Sequence, residues 1–468
     1  MPRWRGGCYD TGLYSAFKHI LHGSFLTQTD PPSHPGPTIV PRAEHGISRQ
    51  NISENSLKVL YRLKNGGFAG FLVGGGVRDL LLGRHPKDFD VVTDAHPEQI
   101  KQLFRNARLI GRRFRLAHVR FGRDIVEVAT FRAAVNGDAD NRADDRAHSE
   151  SGRILRDNVY GTIEEDIWRR DFTVNALYYN IADFSVWDFT TGLEDIRTRT
   201  LRLIGDPERR YREDPVRMLR AIRFAAKLGF TIAPDTAEPI LALGAHLRDV
   251  PAARLFEEVL KLFQSGHGLR SFELLEQYGL FGYLFPSTAA VLAGEHGAHA
   301  RKMIRAGLAN TDRRVAEDKP ITPTFLYAVL LWPAIKALTA ELLPQTGGNE
   351  HEAMAEACHR IIGEQVARTS LPKRFSAPMA EMLMLQRRFE QRQGTRGARL
   401  LEHKRFRAAY DFLLLRASSG EAPQELADWW TEVQRLSPGE QRDSFGPSDE
   451  RRPRRRRRRR RPRRNAVG

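Results

Sequence analysis

At 468 residues the chain is too long for one ordinary hydrophobic core, and two to four domains are expected. Its formal charge of +17 favours a polyanionic partner, but twelve arginines fall within residues 451–464, leaving about +5 for everything else. Two cysteines, Cys8 and Cys358, exclude a disulfide framework or a cysteine-held zinc cluster and fit a reducing cytosol.

The chain opens with Arg3, Arg5 and Lys18 among few acids, slightly like a transit segment but without an apolar signal core behind it. Residues 1–45 read as a flexible extension, and Pro31, Pro32, Pro35, Pro37 and Pro41 give 27–45 the character of an extended linker. Ser53 is a good N-cap for a helix whose Leu57, Leu60, Tyr61 and Lys64 run to a stop at Asn65-Gly66-Gly67.

Leu72-Val73-Gly74-Gly75-Gly76-Val77-Arg78-Asp79, followed by Asp88-Phe89-Asp90, is the most informative stretch. It reads as an apolar strand, a glycine turn, a short helix and a second strand over Asp88–Val92. Glycine N–H groups can approach a phosphate closely, and Arg78 can add charge-assisted hydrogen bonds to it. In a strand, Asp88 and Asp90 project together while Phe89 and Val91 face the core. Two carboxylates beside a phosphate cradle suit divalent metal and a triphosphate, the chemistry of nucleotidyl transfer. No Gly-Lys-Ser/Thr follows, so the cradle is not a P-loop, and the spacing breaks the dinucleotide fingerprint.

Pro97 and Glu98 open a helix to about Phe104. Strands near 108–110, 117–121 and 125–131 follow, and a small mixed sheet should be complete by about residue 190. Ile125, Glu127 and Ala129 share one strand face. A carboxylate buried in so apolar a strand is costly unless paired or metal-bound, so Glu127 is a candidate third acid, with a partly exposed strand Glu as the alternative. Polar residues 136–153 read as a mobile loop beside the site. After residue 200 helical periodicity dominates, through 255–263, 269–275, 325–338, 351–367 and 406–416. Asp214 should cap a helix with Pro215 in its first turn, and Arg217, Arg220 and Arg223 then form a basic stripe. No run approaches the ~18 apolar residues of a spanning helix, so no membrane association is expected.

Gly-Gly-Gly-Val-Arg-Asp, Asp-Phe-Asp, Arg169-Arg170-Asp171-Phe172-Thr173-Val174-Asn175-Ala176 and Glu213-Asp214-Pro215-Val216-Arg217-Met218-Leu219-Arg220 occur in that order. Together they resemble class II tRNA nucleotidyltransferases and bacterial poly(A) polymerases, clearly over about residues 43–290. The head is similar to the DNA polymerase beta nucleotidyltransferase superfamily. Segments 109–119 and 44–55, with the arginine-rich end, resemble the poly(A) polymerase branch. A CCA-adding tRNA nucleotidyltransferase is the second reading, and a nonenzymatic RNA-binding protein on an inactive head the third. Intact Asp88 and Asp90 argue against the last.

The resemblance implies an α+β chain: flexible residues 1–45, a nucleotidyltransferase head over 46–195, a helical neck over 196–290, a helical body over 291–440 and a disordered arginine-rich tail over 441–468. It implies a bacterial cytoplasmic enzyme that adds adenylate from ATP to RNA 3′ ends, marking RNA for decay, with two Mg²⁺ ions. Asp88 and Asp90 are the expected metal ligands and catalytic residues. The resemblance also assigns Asp171 to the site, and the sequence does not separate it from Glu127 as the third acid. Nucleotide contacts fall to Gly74, Gly75, Arg78, Arg170 and Arg220, with Asp214 and Arg217 reading the base edge. RNA contacts fall to Arg254, Lys261, Arg454 and Arg457. The tail is equally a solvated extension or an RNA-binding arm. Whether an RNA chaperone or the RNA-decay machinery also binds is left open.

Overall fold

The computed structural model describes residues 36–111, 115–133, 146–148, 154–157 and 159–446. Thr38–Val40 (β1) opens an eight-stranded mixed sheet at an edge, paired antiparallel with Val186–Asp188. The extension expected over 1–45 is therefore part of the sheet from Thr38 to Val40: these three residues find backbone partners 146 to 150 positions on. Residues 1–35 lie outside the described residues.

Ser53 caps Glu54–Asn65 (α1) by accepting from the Ser56 N–H at 3.1 Å. Gly70–Val73 (β2) leads through Gly74 into Gly75–Leu81 (α2), and Asp90–Thr93 (β3) returns antiparallel to β2. Then come Pro97–Leu103 (α3), Ala107–Ile110 (β4), Leu116–Phe121 (β5) and Asp124–Thr130 (β6). Within the stretch read as a loop, Arg146–His148 (β7) pairs with Ile154–Asp157 (β8), and the rest of 136–153 lies outside the described residues. Ile163–Ile167 (α4), Leu177–Asn180 (β9), Val186–Asp188 (β10) and Gly192–Arg197 (α5) finish the head.

The strand order is β1-β10-β9-β2-β3-β6-β5-β4, with β3–β6 its one parallel pair. Strand alternation splits the apolar residues between two layers. Leu72, Val91, Val128, Val119 and Tyr179 pack with Val59, Leu63, Val77 and Ile100 of the helices. Phe71, Val73, Val92, Phe131 and Tyr178 form the opposite layer with Ile167 and Ile204.

Beyond the head the chain is helical: Pro207–Glu213 (α6), Val216–Leu228 (α7), Pro234–Leu243 (α8), Ala252–Phe263 (α9), then longer helices that include Gly297–Ala316, Pro323–Leu342 and Glu350–Thr369. One hydrophobic core runs from Phe172 to Phe445, so the packing shows no seam at the neck–body boundary near 290. Pro323–Leu342 is long and apolar enough to cross a membrane, contrary to the sequence expectation, but most of it is buried inside this core.

Candidate active site

The register of two strands builds the site. Val73 pairs with Asp90, so the glycine turn leaving β2 lies beside the first residue of β3. Gly74 has φ 75° and ψ −139°, a conformation that side-chain-bearing residues avoid. A Cβ there would lie 3.7 Å from Asp90 Oδ2 and 4.0 Å from Arg170 Nη1, which shows how closely carboxylate, guanidinium and turn converge. Gly76 is needed for a different reason: a Cβ would meet the Asp88 carbonyl at 3.3 Å and the Phe89 ring at 3.2 Å. The first-turn N–H groups of α2 have no helix carbonyl within reach and are available to an anion.

Asp88 is not in the strand as the sequence suggested. It sits in the loop two residues ahead of β3, exposed, and reaches the same cavity as Asp90 from there. Glu127 is also exposed, because the β6 face carrying Ile125 and Glu127 is the uncovered one. The burial expected from its apolar neighbours does not occur. His118 Nε2 lies 3.3 Å from Glu127 Oε1. Among the described residues no three His, Cys, Asp or Glu side chains stand close enough together to hold a metal without rearranging.

Asp90 lines the cavity, exposed to water yet with protein around much of its side chain. That enclosure, then the charge of Glu127, raises its pKa; Arg170 opposes the shift and Asp88 adds to it. Excess negative charge on Asp88, Asp90 and Glu127 is what a divalent cation would neutralise, so this donor set fits one.

The other acids are already partnered. Burial alone would raise the pKa of Asp171, but Arg220 more than offsets it, with help from the Phe172 N–H and Asn175. Arg220 Nε donates to Asp171 Oδ2 at 2.7 Å, and Nη2 contacts the same oxygen. Both oxygens of Asp214 accept from Arg254, at 2.9 and 2.7 Å, and Oδ1 also accepts from the Val216 N–H. Helix α7 accordingly begins at Val216, with Pro215 at its cap rather than Asp214.

The basic residues divide similarly. Arg78 is buried, donating to Asp79 and to Asn175 Oδ1. Arg170 donates to Asp166 and to the Tyr178 hydroxyl, which itself donates to Asp166; burial works against its charge, but Tyr178 and Asp166 raise its pKa overall. Arg210 bridges to the carbonyls of Arg169 and Arg170, and burial, then Arg217, pulls it down to about 10. Arg217 Nη1 is held by the Arg210 carbonyl at 2.8 Å and faces Glu213 at 3.3 Å.

All this surrounds one cavity of about 740 Å³. Gly74, Gly75, Arg78, Asp88, Asp90, Arg170, Asp171, Asp214, Arg217 and Arg220 line it, and so does Arg254, which sequence reading had set among outer RNA contacts. Lys261 is outside the lining and pairs with Glu258; Arg454 and Arg457 lie outside the described residues. The wall adds residues the sequence reading missed: Arg84, Lys87, Arg169, Phe224 and Lys227. The run Arg84-His85-Pro86-Lys87 was a legible signal, a basic loop between the glycine turn and the carboxylates. Nine Arg or Lys line the cavity against five Asp, a balance suited to a triphosphate.

Comparison with known proteins gives the family. Family models match residues 70–202 ("Poly A polymerase head domain"), 229–292 ("Probable RNA and SrmB- binding site of polymerase A") and 346–465 ("Polymerase A arginine-rich C-terminus"). Poly(A) polymerase I of Escherichia coli O6:H1 is 48% identical over 89% of this chain and 90% of its own. That of Haemophilus influenzae is 46% identical over 91% and 94%. A CCA-adding enzyme of Lactobacillus helveticus is 35% identical over 47% of this chain and 52% of its own, a more distant relation. Among solved structures, a tRNA-processing enzyme with CTP matches at TM-score 0.54 and 20% identity, over 81% of this chain and 92% of that one, which speaks for the fold. Matched over nine-tenths of its length, the chain belongs to the bacterial poly(A) polymerase I family.

Proposed function

We propose that the cavity holds ATP and that the chain transfers its adenylate to RNA 3′ ends without a template strand. The observation that carries this reading is Asp90 and Asp88 at the edge of a predominantly basic cavity, with Glu127 next to Asp90 on the neighbouring strand and Asp90 held above its ordinary pKa. The RNA 3′-hydroxyl attacks the α-phosphate, the bond from that phosphorus to the bridging oxygen breaks, and pyrophosphate leaves. Asp88, Asp90 and Glu127 would hold two Mg²⁺ ions, which when bound lower the pKa of the attacking hydroxyl and neutralise charge on the phosphates. Glu127 is the better third acid, because Asp171 is engaged by Arg220.

The α2 N-terminus and the exposed side chains of Arg84 and Lys87 hold the triphosphate. Arg78 acts behind the turn, its guanidinium fixing Asn175 to α2. Base reading falls chiefly to Arg217. Asp214 has both oxygens committed to Arg254 and is better described as fixing that wall. Protein side chains thus replace the template.

A protein partner such as an RNA chaperone or the RNA-decay machinery fits the same reading, supported by the family description of 229–292, which names SrmB beside RNA. The cytoplasm is the compartment it assigns. The test is purified protein with a generic RNA, Mg²⁺ and either ATP or CTP. Long, heterogeneous A tails with ATP strongly preferred are expected. A single C-C-A on tRNA lacking its end would favour the CCA-adding reading, and RNA binding with no addition the nonenzymatic one.

A further inference from the structure

The strand registers set residues from four strands in one row on the open face of the sheet. Asp90 on β3 neighbours Glu127 on β6, one step before the parallel pair Val91–Val128. Glu127 pairs with His118 on β5, and His118 with Arg108 on β4. At ~4.8 Å per strand, Arg108 stands about 14 Å from Asp90 along this row. One step along, towards the level of Asp88, Ile125 pairs with Arg120.

This face is built unlike the rest of the sheet. Past Asp90 in the other direction, the row continues through Val73 and Tyr178, both buried. On the β6–β5–β4 side Ile125 is 44% exposed, and Arg108 and Arg120 are exposed. Neither arginine has an ion pair or side-chain hydrogen bond to any described residue. Two arginines unpaired among the described residues and an exposed isoleucine thus lie in line with the carboxylates, a row of cationic and apolar surface leading to Asp90.

Reaction geometry supplies the occupant. The triphosphate cradle, α2 with Arg84 and Lys87, and the base-reading wall of α7 and α9 hold ATP in the cavity. A displacement at the α-phosphate needs its nucleophile opposite the departing pyrophosphate, with the attacking oxygen at the carboxylates. The cavity lining includes neither Glu127 nor any residue of β5 or β4, and Glu127, Ile125, Arg120 and Arg108 are exposed on the sheet face beside it, where a second substrate would lie.

We infer that the open face of β4, β5 and β6 is the platform for the last nucleotides of the RNA being extended. Arg108 and Arg120 hold backbone phosphates, and Ile125 supports a base or ribose near the reacting hydroxyl. This inference rests on the function proposed above and adds an RNA site apart from residues 229–292 and from the arginine-rich C-terminal region. Its contacts are to backbone and apolar surface, as suits an enzyme that must accept each product as its next substrate.

The test compares full-length wild type, R108A/R120A and R108K/R120K on a six-nucleotide oligoadenylate, too short to lean on distant basic surfaces. In R108A/R120A the KM for the hexamer should rise tenfold or more while the KM for ATP stays within twofold, and the Lys variant should recover most of the loss. Direct binding of the labelled hexamer at several salt concentrations should lose about 1.4 from its log–log slope, two phosphate contacts at ~0.7 each. An unchanged hexamer KM and slope would overturn the platform. So would a KM for ATP that rises in step with that for RNA while the slope holds. Because the slope is an equilibrium measurement, it decides the platform even if wild type adds no nucleotide, an outcome that would instead strike the proposed function.

Discussion

The acids of the head and those of the neck junction are treated oppositely by the fold. Asp88, Asp90 and Glu127 crowd one edge of the sheet, and Asp90 is harder to ionise, first because protein surrounds it and then because Glu127 and Asp88 stand near, with Arg170 opposing. Asp171 and Asp214, which line the same cavity, are each gripped by an arginine from a helix distant in sequence. Carboxylates left in mutual repulsion cost folding energy and are retained for what they bind. Those paired to guanidinium return stability and position. Counting acids in the cavity would miss this division.

The sharpest way to break the comparison is Asp90→Ala. If the crowded acids are for catalysis, adenylate addition at saturating Mg²⁺ should fall by about 10³-fold, equivalent to ~4 kcal/mol of transition-state stabilisation, with no loss of Tm. More than a few per cent of wild-type turnover would remove Asp90 from the ligand set. Asp171→Asn should do the reverse to stability. Breaking a mostly buried pair, discounted for the access Arg220 has to solvent, should cost about 2 kcal/mol in chemical denaturation. An unchanged midpoint would mean the pair holds nothing together.

Arg217→Ala tests base reading at about the tenfold level, or ~1.4 kcal/mol. Preference for ATP over CTP and GTP should narrow by that factor, and an equal loss across all four nucleotides would make Arg217 structural or phosphate-binding. The smallest effect is in pH. Asp171 is held below its ordinary value of 3.8, so its stabilisation is whole above that value and is lost as pH falls through the lower folded one. Asp90 is held above 3.8, so the folded chain favours its proton, and stability is lost as pH rises through the raised value. In metal-free buffer at neutral pH, Asp171→Asn should lower Tm and Asp90→Asn raise it by about a degree or two, both converging on wild type as falling pH protonates the acids. Shifts of the same sign would refute the division.

What was legible in the sequence was local. The glycine turn, the Ser53 cap and the strands around β4 to β6 each depend on residues within one turn or one strand. The Asp171–Arg220 and Asp214–Arg254 pairs join residues 49 and 40 positions apart, and no spacing rule reaches across a fold. Asp214 was expected at a base edge and Arg254 on an RNA track; that the two also share one fork was beyond the reach of sequence spacing. Strand alternation correctly put Ile125 and Glu127 on one face. Its apolar neighbours suggested a covered face, yet α1 and α3 pack on the opposite face and leave this one exposed, and what lies above a strand is a tertiary property. Edge strand β1 was hidden by the prolines around it, since its pairing partner comes from residues 186–188.

The apolar helix Pro323–Leu342 has a consequence for how the protein is made. It leaves the ribosome before Glu350–Thr369 and Lys373–Met384, two of the helices that pack over it, have been synthesised. During that interval the nascent chain displays a segment that passes for a membrane span by length and composition. Synthesis of the next fifty or so residues is therefore a vulnerable window, in which a stalled or prematurely ended chain offers a sticky helix to chaperones, proteases or the insertion machinery.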